Sequence, residues 1–198
     1  MKKENKIFFI TECPYSGVLR AVIEHAKLFR KMEFNNLFFI LPEIPRDRYG
    51  ETLSENKILL NGLGNVLRLP LGRHYMDILK DKKKLRNFFI KQDGNFTVLS
   101  YSGYAGKLCR LLYKEGVIQR LYHVPQCIDI IRRPLFQRIT EYLFERLLSD
   151  SASFYLACGP GENYSLINNF HVNKNKIILA PNFIIKDTND KKEKKEID

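Results

Sequence analysis

No C-x-x-C pair occurs in this 198-residue sequence, whose four cysteines stand far apart as Cys13, Cys109, Cys127 and Cys158. That scatter excludes a closely spaced thiolate zinc site, argues against a disulfide framework and fits a reducing compartment. Long apolar runs are missing too. The basic start leads only into Ile7 to Ile10, far short of the roughly 7–15 residues of a signal-peptide core or the about 20 of a spanning helix. The expectation is a cytoplasmic protein. The four histidines, His25, His74, His123 and His171, are too dispersed for a metal site, so no metal is expected. No Ser-His-Asp order or paired-carboxylate site stands out. A P-loop is absent, and Gly62-x-Gly64 lacks the strand-to-helix context of a dinucleotide fingerprint. Neither NAD nor ATP binding has support.

What is abundant is positive charge. Thirty-three Lys and Arg against 22 Asp and Glu give +11 and a pI near 9.5. Such a surface attracts polyanions, although a Lys- and Asn-rich composition also follows from codon bias. No helix-turn-helix, zinc or RNA-binding signature accompanies the charge, which leaves nucleic-acid binding the least supported reading. The cluster Lys80, Lys82, Lys83, Lys84 and Arg86 lies among Leu79, Leu85, Phe88 and Phe89. It suits an anionic membrane surface or a solvated helix face equally.

Short β-rich apolar runs alternate with stretches of helical period. Lys6–Thr11 reads as a buried strand, and Val18–Met32 as a helix with Val18, Val22, Ala26 and Phe29 on one face. Asn36–Leu41 is a second strand, closed by Pro42. Short strands are expected at Ile58–Leu60 and Val66–Leu69 around the turn-rich 61–65, then a helix over Tyr75–Lys91. Phe96–Tyr101, Arg120–Val124, Phe154–Cys158 and Lys176–Ala180 read as strands. Between them fall helices over Ala105–Glu115, Pro134–Leu148 and Glu162–Asn169. The Pro134–Leu148 helix carries an apolar stripe of Leu135, Ile139, Leu143 and Leu147. This alternation predicts an α/β fold, a Rossmann-like parallel sheet with helices on both faces, over residues 1–185. Residues 186–198 are charged and aperiodic, and read as a disordered tail or linker.

In such sheets ligands gather outside the carboxyl ends of the strands, where strand order reverses. After the first strand come Ser16 and Gly17 at a helix start, which suit either an anion or plain helix capping. After the Phe96–Tyr101 strand come Ser102 and Gly103, small enough for a sugar or phosphate pocket and equally for a cap.

The ordered series of these stretches resembles the N-terminal domain of family-4-like GT-B glycosyltransferases. Ser16-Gly17-Val18-Leu19-Arg20 is similar to that family's Gly-Gly-apolar-x-Arg helix opening, and Ser100–Arg110 to a His-x-His-Ser-Ser-x-Ala-Gly-x-x-x-Arg stretch. The run from Leu121 through Pro125-Gln126, a helix carrying Glu145, and Tyr155 to Glu162 resembles a Tyr-x-x-Pro-His segment, an acidic helix and a strand ending in Ser-x-x-Glu. Ile178–Asn182 is similar to the Val-Ile-Pro-Asn-Gly near the domain boundary. The matched pieces cover about residues 6–184.

The resemblance implies metal-independent sugar transfer from a nucleotide-sugar to a lipid-linked or saccharide acceptor, in cell-surface polysaccharide or glycolipid synthesis. No cofactor is covalently bound. Ser16, Gly17, Tyr101, Ser102, Gly103 and Gln126 would line the acceptor side, with His123 the candidate catalytic residue and Glu145, Glu162 and Asn182 further matched positions. The departures are a Ser16-Gly17 pair for Gly-Gly, Tyr101 for a histidine, Cys158-Gly159 before Glu162, and Gln126 for the usual histidine. Gln can donate a hydrogen bond but cannot carry a proton near neutrality. The stretch that resembles the family ends near Asn182, where a nucleotide-binding second domain should begin. The expectation is a donor domain supplied elsewhere, as by a second glycosyltransferase subunit, with the inner membrane face as a candidate location. The alternative is a non-catalytic scaffold that keeps the fold and binds a glycosyltransferase.

Overall fold

The computed structural model describes residues 5–13, 16–43, 60–71, 77–126 and 135–181. Seven strands, β1 (Lys6–Thr11), β2 (Leu37–Pro42), β3 (Asn65–Leu69), β4 (Phe96–Tyr101), β5 (Leu121–Val124), β6 (Phe154–Ala157) and β7 (Ile177–Leu179), form one sheet. Their order is β3-β2-β1-β4-β5-β6-β7 and every pairing is parallel. Parallel neighbours need crossovers, and these are the helices α1 (Ser16–Lys31), α2 (Ile78–Ile90), α3 (Gly103–Lys114), α4 (Leu135–Leu147) and α5 (Pro160–Asn168).

Side chains alternate across the sheet, so each apolar strand feeds two cores. Ile7 and Phe9 of β1 face α1, where Val22 and Ala26 pack on them with Phe39 and Leu99. Phe8 and Ile10 face the opposite layer and meet Leu85 and Phe89 of α2 and Leu108 of α3. Phe8 is ringed by Phe38, stacked at 5.1 Å, and by Phe88, Phe89 and Phe96, edge-on at 5.4–5.7 Å. Fully burying one such ring stabilises the fold by about 1.5–3 kcal/mol.

One strand reading changes. Residues 60–63 are helical, so Leu60 lies in a helix rather than a strand, and Ile58 and Leu59 lie outside the described residues. Gly64 then enters β3 so close to β2 that a Cβ would sit 2.4 Å from the Leu37 carbonyl oxygen. The apolar stripe of α4, Leu135, Ile139, Leu143 and Leu147, points outward. Its inward face carries Glu141 and Glu145 instead, bound to Lys107 and Arg110 of α3. Buried cations on the neighbouring helix claim the carboxylates and leave the leucines outside.

Candidate functional site at the strand-order reversal

The sheet reverses its winding between β1 and β4. Register sets Thr11 of β1 beside Tyr101 of β4, and Tyr101 beside Val124 of β5. The residues that follow these three therefore share one edge, and they include Glu12, Ser102 and Gln126.

Glu12 organises this edge. Its Oε1 accepts the Tyr104 N–H at 3.0 Å and its Oε2 the Ala105 N–H at 3.1 Å, while the Ser102 hydroxyl donates to Oε1. A buried carboxylate thus fills the N-terminus of α3, where the first backbone N–H groups lack helical partners and the helix dipole is positive. Ser102 caps the same helix, its Oγ accepting the Gly103 N–H at 2.7 Å, and its own N–H donates to Val124 O at 3.0 Å. Its φ of 71° with extended ψ is a conformation normally left to glycine. Fixing that backbone costs about 1–3 kcal/mol, which the surrounding hydrogen bonds offset.

The start of α1 is different. No acidic residue lies in its first turn, and Gly17 is exposed with open space where a Cβ would be. Gln126 follows β5 in a left-handed conformation, φ 47°. Its Nε2 is buried, with no hydrogen-bond partner among the described residues. Leaving such a donor unmatched costs about 1–3 kcal/mol, a penalty that a ligand oxygen would relieve. Further along the same edge an open cleft of about 360 Å³ is lined by Glu43, Asp77, Asp81, Lys80 and Lys84. Asp81 accepts from the Tyr104 hydroxyl at 2.9 Å, which ties that cleft to the start of α3.

Two anticipated site residues turn inward. Tyr101 is buried beneath α1 and shares a 2.7 Å hydrogen bond with His25 Nδ1. Burial pushes the Tyr101 hydroxyl well up and lowers His25, an effect Glu24 partly opposes. His123 is only 1% exposed, lodged between β5 and α3. Its Nδ1 lies 3.1 Å from Ser100 Oγ and 3.2 Å from the Ser100 carbonyl, and Tyr155 meets its ring edge-on. Burial, then the Arg110 cation, hold the imidazole well below its usual range, so it is neutral. Gly106 makes room for it, since a Cβ there would fall 2.1 Å from the ring. The geometry is that of a packed core histidine.

Ser16 opens α1 as expected, and Gly103 opens α3. Glu145 pairs with Arg110 at 2.8 Å inside the protein. Glu162, in the first turn of α5, reaches back so that its Oε2 accepts the Cys158 N–H at 2.7 Å, ahead of the helix. Asn182 lies outside the described residues. So Gly17, Ser102, Gly103 and Gln126 all follow strand ends on one side of the sheet, whereas Tyr101, His123 and Glu145 are buried. The residue missed from sequence is Glu12. Its only signal was a carboxylate directly after the first strand, which becomes meaningful once β4 is known to lie alongside. Among the described residues no cluster of His, Cys, Asp and Glu could hold a metal ion.

Solved structures share this architecture. A glycosyltransferase from Rickettsia africae ESF-5 superposes with TM-score 0.62 at 15% identity, over 90% of this chain and 43% of its own. The UDP-GlcNAc 2-epimerase of Methanocaldococcus jannaschii gives 0.58 at 16%, over 90% and 45%. Another UDP-N-acetylglucosamine 2-epimerase gives 0.60 at 11%, over 90% and 48%. The fold is one half of a GT-B protein. The chain spans just under half the length of the structures it matches. No protein-family model and no curated sequence matches it, so the likeness to family 4 rests on the motifs alone.

Proposed function

We propose that this chain forms the acceptor-side half of a GT-B glycosyltransferase, with the donor-binding half lying outside the described residues. The reaction moves a glycosyl group from a nucleotide-sugar to an acceptor hydroxyl on a lipid-linked or other saccharide. The bond from the anomeric carbon to the leaving phosphate breaks, a bond to the acceptor oxygen forms, and the hydroxyl proton departs. Cell-surface polysaccharide or glycolipid synthesis is the setting that the motif resemblance suggests.

One observation carries the reading: Glu12 already occupies the anion position at the start of α3. A phosphate there would displace or repel a carboxylate, so this edge suits a neutral, hydroxyl-rich ligand. The unmatched Gln126 amide and the open Gly17 backbone supply hydrogen bonds and space for it. The similar structures are named as a glycosyltransferase and as UDP-N-acetylglucosamine 2-epimerases, which keeps sugar chemistry in view. Glu12 is held by hydrogen bonds and His123 is buried, so the proton acceptor is assigned to the donor-bearing half.

A scaffold reading competes, and the inward placement of His123 and Tyr101 favours it. The two separate in one assay. The chain is purified from its native cell with its partners, and transfer from a radiolabelled nucleotide-sugar is measured. The acceptor-side reading expects Gly17→Trp to abolish transfer by filling the space at the start of α1, and Gln126→Ala to cut it about tenfold, the equivalent of one lost hydrogen bond of about 1.4 kcal/mol. Transfer unchanged by both substitutions would establish the scaffold.

A further inference from the structure

Helix α4 is amphipathic in the reverse sense. Its two acids, Glu141 and Glu145, are buried and paired with Lys107 and Arg110, while Leu135 (70%), Phe136 (80%), Ile139 (51%), Leu143 (51%) and Leu147 (72%) are exposed. Leu135, Ile139, Leu143 and Leu147 recur every four residues, and Phe136 widens the row, so the five form one continuous outer face. A surface helix that spends its carboxylates on an inner layer of cations and turns its leucines to solvent has, among the described residues, its apolar face unpartnered.

The charge left outside is of one sign. With both acids turned inward, the charged side chains α4 presents outward are Arg146, exposed beside the stripe, and Arg138, half-buried at its margin. Asp150, just past the helix, lies 3.8 Å from Lys176 and is matched there. On the same side of the sheet, α2 adds exposed Leu79 and Ile90 with exposed Lys80 and Lys83. The other members of the basic cluster are engaged internally: Lys82 and Arg86 with Glu115, and Lys84 with Asp81. The whole chain carries +11, which favours anionic surfaces and opposes close self-association.

We infer that the outer face of α4 is a docking surface for an anionic lipid bilayer, with the leucine row entering the headgroup boundary and Arg138 and Arg146 meeting lipid phosphates. An interfacial helix needs this combination of an apolar face and flanking cations. The expectation read from sequence put membrane contact on α2. The structure moves the main contact to α4 and leaves α2 as a basic margin. Docking of this kind would bring the strand-order reversal near lipid-borne acceptors, but it does not depend on the sugar-transfer reading.

The test uses the full chain without donor or partner, sedimented with vesicles of phosphatidylcholine alone or mixed with phosphatidylglycerol. Binding is expected to the anionic vesicles and at least tenfold weaker to the neutral ones. Leu143→Gln combined with Leu147→Gln, both at exposed positions, should weaken anionic binding at least tenfold with an unchanged circular dichroism melt. Arg146→Glu should weaken it in low salt. No sedimentation with anionic vesicles, or equal binding by wild type and the double variant, would overturn the inference. So would a concentration-dependent dimer in analytical ultracentrifugation that the double substitution abolishes, because a second copy would then cover the stripe. Either failure leaves the transfer assay above to decide the enzymatic reading on its own.

Discussion

Gly106 and His123 fit together so closely that a single methyl group decides the outcome. In an ordinary helix interior, Gly→Ala stabilises by about 0.5–1 kcal/mol. In α3 the added Cβ would lie 2.1 Å from the His123 ring, whose position is fixed by Ser100 and Tyr155. Gly106→Ala should therefore destabilise by about 1–3 kcal/mol, as overpacking does. Urea unfolding reads this directly, and a stabilised variant would show that the imidazole is loosely held. The same burial sets a pH response. His123 and His25 are both held below the usual imidazole value by burial. Below pH about 6.5 the unfolded chain binds protons that the folded one refuses, so their contribution is intact above that pH and stability falls as pH drops beneath it. The melting temperature should be lower at pH 5.5 than at pH 7.5, and a flat or inverted profile would contradict neutral histidines.

At the scale of elements, the pairing of α3 with α4 is made by ions more than by leucines. Arg110→Met alone would strand Glu145 and should cost about 3–5 kcal/mol, whereas Arg110→Met with Glu145→Leu should recover most of it. Equilibrium unfolding of the single and double variants measures the difference, and equal losses would mean the pair is not coupled. Leu143→Gln, on the outer face, should stay within about 0.5 kcal/mol of wild type. This is also where the sequence was least informative. Period 3.6 shows that Leu135, Ile139, Leu143 and Leu147 share a face, yet it cannot say which face is inner. That depends on Lys107 and Arg110, distant in the chain and brought near by the sheet. The strands were easier, because KIFFIT, LFFILP and FTVLSY are apolar on both faces and only a covered parallel sheet accepts them.

For the whole molecule, alternating strands and helices already implied a parallel sheet with helices on both faces, whereas the strand order and its reversal between β1 and β4 come from the structure. The site was only partly legible. Gly17, Ser102, Gly103 and Gln126 follow strand ends on one side of the sheet. Tyr101 and His123 were placed by motif position alone; both lie within strands covered on both faces, so their side chains enter the core rather than the edge. Glu12 became visible only once β4 stood beside β1. Among the described residues no helix is long and apolar enough to cross a membrane.

The most direct test of an acceptor-side half is a two-dimensional NMR titration of the chain alone with uridine diphosphate. If Glu12 fills the anion position, the Tyr104 and Ala105 amides should not shift saturably at millimolar nucleotide, and Glu12→Ala should make them do so. Saturable shifts of those amides in the wild type would mean that phosphate displaces Glu12, and the edge would then belong to the nucleotide rather than to the acceptor.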